Sequence, residues 1–251
     1  MLTKKKKEPV GELIFGIHPI VELLKARRRK IISIYTTRPE PKGWKTIQQA
    51  MPTNYKIPIQ YVSRDVLTKM AGGTTDHQGF IAWVKEFPYR KKAFDPKREP
   101  FVVLLDGVQD PRNVGAIIRS AYCTGAQGVI LTKKQGSPLS ATALKASAGL
   151  AEHLEIMIAP TAQVAVEELK KAGYTPYIAA FDGQDASKVE FKAPLCLVIG
   201  GEGFGVSQPV LNSGVKITIP QKTADISYNA SVAAGILLFL ASQQHNFINT
   251  K

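Results

Sequence analysis

The chain has 251 residues, 44% of them apolar and 21% charged, which is enough for two domains with buried cores. Its longest apolar run, from Val232 to Ala241, is too short to cross a membrane, and no secretion signal or metal-ligand spacing of Cys and His is recognisable. We therefore expect a cytoplasmic protein with two buried, reduced cysteines and no resident metal.

The net charge of +13 is concentrated in the first hundred residues. Lys and Arg outnumber Asp and Glu by 21 to 9 in residues 1–100, but only by 12 to 11 in residues 101–251. Such a basic region binds polyanions, and nucleic acid is the first candidate, with a solubilising basic face as the alternative. Membrane-surface binding is disfavoured, because no basic stretch joins a strongly amphipathic helix with aromatic anchors.

Apolar periodicity predicts a small α/β domain over residues 1–87. Its expected elements are a helix from about Pro19, a strand at 30–37, a helix at 43–51, a strand at 57–63, a helix at 64–71 and a strand at 78–87. The basic run KARRRK (25–30) falls at the end of the first helix. Cations there favour the helix dipole, but this run exceeds what a cap needs. We expect RNA phosphate contacts from Lys25, Arg27, Arg28 and Arg29.

The segment PYRKKAFDPKREP (88–100), rich in proline and basic residues, is expected to be an exposed linker. Beyond it, short apolar strands alternate with helices, which is typical of a parallel sheet covered on both faces. The predicted strands are 101–106, 128–132, 154–159, 174–181, 195–200 and 215–220, and the predicted helices are 113–123, 139–149, 161–172 and about 230–244. This second α/β domain is expected over 101–251, with ligands at the carboxyl ends of its strands.

The first candidate stretch, DPRNVGAIIRSA (110–121), follows a predicted strand and contains the only arginines after residue 100. Arg112 and Arg119 are seven positions apart, so both lie on nearly the same side of a helix. Two guanidinium groups on one edge suit a phosphate or another oxyanion, and surface ion pairs are the alternative. Asn113 is well suited to cap the helix.

Two further stretches follow later strands. LVIGGEGFGVS (197–207) brings four glycines and Glu202 to the end of a buried strand, where glycines permit close approach of a ligand. It is neither a dinucleotide fingerprint nor a P-loop. IPQKTADISYNASVAAGILLF (219–239) places Ser227 and Asn229 before a helix of small residues, which indicates a plain cap on a close-packed helix, a subunit interface or a crowded ligand pocket.

Together, in this order and spacing, N-x-x-x-x-x-R, I-G-G-E-G-x-G and S-x-N-x-S-V-A are similar to the three motifs of the SpoU (TrmH-like) family of RNA ribose 2′-O-methyltransferases, in the SPOUT superfamily. FGIHPIVELLKA (15–26) resembles the N-terminal RNA-binding domain of the RlmB-type members, which methylate a guanosine of large-subunit rRNA. The resemblance covers nearly the whole chain. It implies S-adenosylmethionine as methyl donor, a homodimer, and a deep trefoil knot in the last third of the chain.

The resemblance also implies roles for individual residues. The catalytic set that it implies is Asn113, Arg119, Glu202, Ser227 and Asn229. The implied cofactor contacts, largely through the backbone, are Gly200, Ile219 and Tyr228. Tyr228 departs from the family, which usually has Leu there, so the bulkier ring is expected to reshape the adenosine pocket.

The resemblance assigns Arg119 to activating the ribose 2′-hydroxyl. Arginine is a poor base because its pKa exceeds about 12. We therefore expect Arg119 to hold the adjacent phosphate and orient the hydroxyl, while its proton leaves to phosphate or water, and we expect a second phosphate contact from Arg112. The alternatives to rRNA methylation are methylation of tRNA and a non-catalytic ribosome-assembly factor on the same scaffold.

Overall fold

The computed structural model describes residues 11–223, 226–245 and 247. The chain divides into two compact units, Met1–Pro88 and Tyr89–Lys251, each with its own sheet. Residues 1–10 of the predicted first domain and residues 224–225 of the third stretch lie outside the described ranges. Within those ranges, every helix is too short or too polar to cross a bilayer.

The first unit is a four-stranded sheet with three helices in its described part. The elements are β1 (Glu12–Phe15), α1 (Ile17–Ala26), β2 (Ile31–Thr36), α2 (Trp44–Ala50), β3 (Ile59–Tyr61), α3 (Arg64–Met70) and β4 (Phe80–Val84). The strand order is β1-β4-β2-β3, in which only β2 and β3 pair in parallel. Helix α1 buries Ile20, Leu23 and Leu24, as its apolar spacing predicts. Strand β1 was not predicted, because four residues are too few to show an alternating pattern.

The second unit is a six-stranded parallel sheet with helices. Its described elements are β5 (Phe101–Asp106), α4 (Pro111–Cys123), β6 (Gly128–Thr132), α5 (Ala141–Ala146), β7 (Glu155–Ala159), α6 (Ala162–Ala172), β8 (Thr175–Asp185), β9 (Leu195–Gly200), α7 (Gln208–Leu211), β10 (Val215–Thr218) and α8 (Ala230–Gln243). The strand order is β10-β8-β9-β5-β6-β7. All five pairs are parallel, which confirms the predicted fold class.

The order of the strands creates a switch point between β5 and β9. From β5 the chain builds β6 and β7 on one side, and it then returns to build β8, β9 and β10 on the other. In open parallel sheets, ligands bind beyond the carboxyl ends of the strands at such a point. Both central strands are almost completely buried, which explains their continuous apolar sequences.

The predicted exposed linker is packed against the second unit from residue 89 onward. Arg90 forms a two-pronged ion pair with Glu99, with N–O distances of 2.6 and 2.9 Å. Phe94 is only 3% exposed and belongs to the core under the parallel sheet. Its ring fills the space beside Gly128, where a Cβ would collide with it. The expectation of an exposed 88–100 linker is therefore corrected. The burial of Phe94 and the ion pair of Arg90 hold this segment in place despite its proline-rich composition.

Several boundaries also differ from the prediction. The predicted helix at 139–149 is the shorter α5, followed at Gly149, which has φ of 85°, by a 3₁₀ turn at Leu150–His153. Cys196 is buried on β9, and that burial raises the pKa of its thiol. Cys123, at the end of α4, is exposed rather than buried.

Candidate active site at the glycine turn

The turn after β9 is a compact backbone structure that requires glycine at three positions. A Cβ at Gly200 would collide with the backbone of Gly205, and one at Gly201 would collide with the carbonyl of Gly107, in the turn after β5. The N–H of Gly205 donates to the carbonyl oxygen of Gly201 over 3.0 Å. Close backbone approach at the switch point therefore explains Gly200 and Gly201, and a left-handed backbone with φ of 63° explains Gly205.

A buried carboxylate that sequence reasoning missed closes this turn. The Oδ2 atom of Asp106, the last residue of β5, accepts a hydrogen bond of 2.8 Å from the N–H of Ser207. The carbonyl oxygen of Asp106 also accepts from the N–H of Gly201, at 3.0 Å. The signal was an acid at the end of an otherwise apolar strand, because a buried carboxylate requires hydrogen-bond donors.

A cavity of about 520 Å³ opens beside the turn, within the size range of cofactor sites. Its walls come from the middle of β8, the ends of β9 and β10, the glycine turn, the segment before α8, and α8 itself. Five residues with predicted roles line it: Gly200, Glu202, Ile219, Ser227 and Tyr228. Arg119, Asn113 and Asn229 are not among the described residues that line it.

The cavity fits the donor that the motifs imply. Its lining combines apolar side chains such as Ile199 and Leu237 with exposed backbone at the glycine turn, which suits an adenosine group. Two acids, Glu202 and Asp182, also line it, and S-adenosylmethionine carries positive charge at its sulfonium and ammonium groups. The hydrogen bond from Nζ of Lys216, at 2.7 Å, holds the pKa of Asp182 below its ordinary value.

Asn113 connects helix α4 to the glycine turn. Its Nδ2 donates to Oε1 of Glu202 over 2.5 Å. The predicted capping role of Asn113 is wrong, because α4 begins two residues earlier, at Pro111, and Asp110 accepts the capping hydrogen bond from the N–H of Arg112 at 2.7 Å. Proline fits a first helical turn because that position needs no N–H donor. Asn113 is thus buried inside the helix and faces the turn.

Arg112 and Arg119 are both exposed on α4. Neither guanidinium forms a hydrogen bond or ion pair with any described residue, so the ion-pair alternative has no support within the described chain. Helix α4 packs against α5 and α8, and its buried side contains Val114, Ile117 and Ile118. The two free arginines therefore lie on the solvent side of a helix whose other side reaches Glu202.

The third stretch supplies both a helix cap and a cavity wall. Asn229 is the N-cap of α8, since its Oδ1 accepts from the N–H and the hydroxyl of Ser231 at 2.9 and 2.6 Å. Ser227 is exposed and lines the cavity without capping the helix. Helix α8 packs against α4 and buries the small residues Ala234 and Ala241. Close packing within the chain thus accounts for part of the small-residue pattern.

The basic run of the first unit contains one buried arginine and residues that are more accessible to solvent. The side chain of Arg29 is 2% exposed, pairs with Glu12 at 2.6 Å, donates to the carbonyl oxygen of Lys85 and stacks over Phe87. The RNA contact predicted for Arg29 is therefore corrected, because its guanidinium is committed inside the unit. Lys25 and Arg27 are exposed, and Arg28 is half-buried near the Phe87 ring.

Both units match protein families with related descriptions. Residues 100–239 match the SpoU rRNA methylase family. Residues 13–90 match the family described as RNA 2′-O ribose methyltransferase substrate binding. The two matches together span both sheets and all three stretches.

Individual relatives agree with these matches. The 23S rRNA (guanosine-2′-O-)-methyltransferase RlmB of Shewanella oneidensis is 31% identical over 244 residues, 93% of this chain and 97% of that protein. An uncharacterized tRNA/rRNA methyltransferase of Archaeoglobus fulgidus is 39% identical over 174 residues, 67% of this chain and 78% of that protein. The solved SpoU methyltransferase AviRb of Streptomyces viridochromogenes, in complex with AdoMet, has the same fold, with a TM-score of 0.77 at 24% identity over 93% of this chain and 90% of that one.

The resemblance in the three motifs is thus confirmed over most of the chain, together with the enzyme class and the methyl donor that it implies. The glycine turn and its cavity occupy the position at which a parallel sheet binds its ligand. The chain belongs to the SpoU family of RNA methylases, enzymes that transfer a methyl group from S-adenosylmethionine to RNA.

Proposed function

We propose that this enzyme methylates the ribose 2′-hydroxyl of a guanosine in large-subunit ribosomal RNA. The observation that carries the proposal is the pairing of a donor-sized cavity at the glycine turn with two unpaired arginines on α4, joined by the bond between Asn113 and Glu202. The similarity to the Shewanella enzyme over 97% of its length supports the choice of RNA. The basic first unit supplies a surface for a large polyanion.

In this proposal the walls of the cavity hold the donor and exclude water from it. S-adenosylmethionine, when bound, supplies a methyl group that is already electrophilic. Gly200 and Ile219 would contact it through their backbone, and Tyr228 through its backbone and ring face. Ser227 would keep the segment before α8 against the cavity. Alignment of the attacking oxygen is then the main catalytic task of the chain.

Arg119 performs that alignment in the proposed mechanism. Its guanidinium, free of partners among the described residues, would bind the phosphate next to the target ribose and orient the 2′-hydroxyl. The hydroxyl proton would leave to phosphate or water, because a guanidinium stays protonated. Arg112, on the same helix side, would hold a second phosphate. Asn113, Glu202 and Asn229 would keep α4, the glycine turn and α8 in register.

Three cations of the basic run at 25–30 complete the proposal. Lys25, Arg27 and Arg28 would contact RNA phosphates, without Arg29. We also propose that the enzyme acts as a homodimer and that its last third forms the trefoil knot characteristic of the family. Its proposed location is the cytoplasm, where ribosomes are assembled. Sedimentation of the purified enzyme tests the dimer, since a monomeric mass would contradict it.

The choice of RNA can be tested directly. Unmodified transcripts of 23S rRNA, 16S rRNA and a tRNA pool are each incubated with enzyme and methyl-labelled S-adenosylmethionine, and the products are hydrolysed in alkali. A 2′-O-methyl group blocks cleavage at its own nucleotide, so label from 23S rRNA should appear in an alkali-resistant dinucleotide that begins with guanosine. Label confined to tRNA would favour a tRNA 2′-O-methyltransferase instead. Absence of label in every RNA would favour a non-catalytic ribosome-assembly factor.

A further inference from the structure

Phe204 is an aromatic side chain that the fold does not use. It lies between Gly203 and Gly205 on the glycine turn, and it is 94% exposed. The contacts that shape the turn are made by backbone atoms and by Asp106, and no described aromatic ring packs on Phe204. Phenylalanine favours burial, so a fully exposed ring beside a binding cavity indicates a contact made with a ligand.

Two other exposed aromatic residues share this cavity. Phe181, on β8, is 70% exposed, and Tyr228, before α8, is 43% exposed. Both line the same cavity as Phe204, although the three residues belong to three separate chain segments. Each contributes one part of its surface to the cavity and leaves the rest open to solvent. The cavity is therefore bordered by aromatic surface, and Phe204 and Phe181 leave most of theirs open to solvent.

The reaction itself brings a nucleotide to this mouth. A ribose hydroxyl can reach a donor in the cavity only through its open side, and the bases attached to that ribose and its neighbours come with it. Unpaired RNA bases are commonly held by stacking on aromatic side chains, which accept any base because each has a π-face.

We infer that Phe204 is a substrate-binding residue whose ring stacks on a base of the RNA at the mouth of the donor cavity. The inference rests on the proposed function and extends it from the ribose and phosphate to a base. Arg119 and Arg112 contact charged groups in that proposal, whereas Phe204 supplies a neutral stacking contact. Because 94% of the residue is open to solvent, its loss should weaken RNA binding much more than donor binding.

The test compares Phe204→Ala, Phe204→Leu and Phe204→Trp with the unmodified enzyme. The readouts are the affinity for a 23S rRNA transcript by filter binding, the KM and kcat of methyl transfer, donor affinity by calorimetry, and mass by sedimentation. Loss of one stacking contact should weaken RNA binding and raise the RNA KM by roughly tenfold in Ala and Leu. Trp should restore both, and donor affinity and mass should not change.

Three results would overturn the inference. Unchanged RNA affinity and KM in Phe204→Ala would mean that the ring does not touch RNA. Wild-type behaviour of Phe204→Leu would mean that apolar area, rather than stacking, is what matters. A change of mass in Phe204→Ala would assign the ring to a subunit contact. Filter binding needs no methyl transfer, so it tests the stacking contact even if the unmodified enzyme fails to methylate this RNA and the proposed function falls.

Discussion

The side-chain amide of Asn113 donates to the carboxylate of Glu202 over 2.5 Å, although 89 residues separate them in the chain. This bond joins the helix that carries Arg112 and Arg119 to the turn that borders the donor cavity. A shift of the turn would therefore be transmitted to α4. The geometry provides a physical reason why the first two motifs contain an amide and an acid as well as an arginine and glycines.

Removing either partner of this bond should impair methyl transfer. Asn113→Ala and Glu202→Ala should each reduce methyl transfer, and Glu202→Ala should also lower the free energy of unfolding by about 1–3 kcal/mol, because the buried amide loses its acceptor. The double variant should be no worse than the more damaging single one. Methyl-transfer kinetics and denaturant unfolding of the unmodified enzyme, the two single variants and the double variant measure the coupling energy between the two residues. Strictly additive losses would mean that the two residues act independently.

The glycine turn offers a matched pair of substitutions. Gly200→Ala should abolish donor binding, because the added Cβ collides with the backbone of Gly205. Gly203→Ala adds the same methyl group to the same turn, but nothing lies within 4 Å of it, so donor affinity should be retained. Calorimetry with S-adenosylmethionine distinguishes the two. Equal donor affinity in both variants would mean that the donor does not bind at this turn.

Arg29 should contribute to stability rather than to RNA binding. Arg29→Ala removes the ion pair with Glu12 and the packing over Phe87, so the free energy of unfolding of the first unit should fall by about 1–3 kcal/mol. Lys25→Ala is the matched control, since its pair with Glu22 is exposed and contributes at most about 1 kcal/mol. A thermal unfolding series on both variants tests this, and an unchanged Arg29→Ala protein would contradict the buried ion pair.

The other three cations of the basic run should contribute to RNA binding. Neutralising Lys25, Arg27 and Arg28 together should leave donor affinity intact and weaken binding of a 23S rRNA transcript. In a plot of log affinity against log salt concentration, the slope should become less steep by roughly 0.7–0.9 for each phosphate contact that is lost. The measurement is filter binding over a range of salt concentrations. Weaker binding with an unchanged slope would assign the loss to something other than phosphate contacts.

Much of the fold was predictable because its signals are local. Buried parallel strands such as β5 and β9 are continuous apolar runs, and α1 and α6 show clear helical periodicity. The linker was mispredicted because composition does not reveal that Phe94 has a buried site beside Gly128. The cap of α4 was misplaced because Asp110 and Asn113 are both good caps, and only the position of Pro111 distinguishes them.

The candidate site was predictable as a set of residues, but its internal contacts were not. The bond between Asn113 and Glu202, and the closure of the turn by Asp106, both depend on adjacency of β5 and β9, which are about ninety residues apart in the sequence. Arg29 shows the same limit. Nothing in KARRRK distinguishes the arginine that turns inward to Glu12 from its exposed neighbours. Each of these contacts joins residues that are far apart in the sequence, so no local pattern could predict it.

The most direct test of this account separates donor binding from methyl transfer in one variant. Arg119→Ala should bind S-adenosylmethionine as the unmodified enzyme does, because Arg119 does not line the cavity, and it should transfer methyl groups to 23S rRNA roughly 100-fold more slowly or worse. Arg112→Ala, on the same helix side, should mainly raise the RNA KM. Equal loss of donor binding and transfer in Arg119→Ala, or transfer at the unmodified rate, would contradict the role of Arg119 in aligning the ribose.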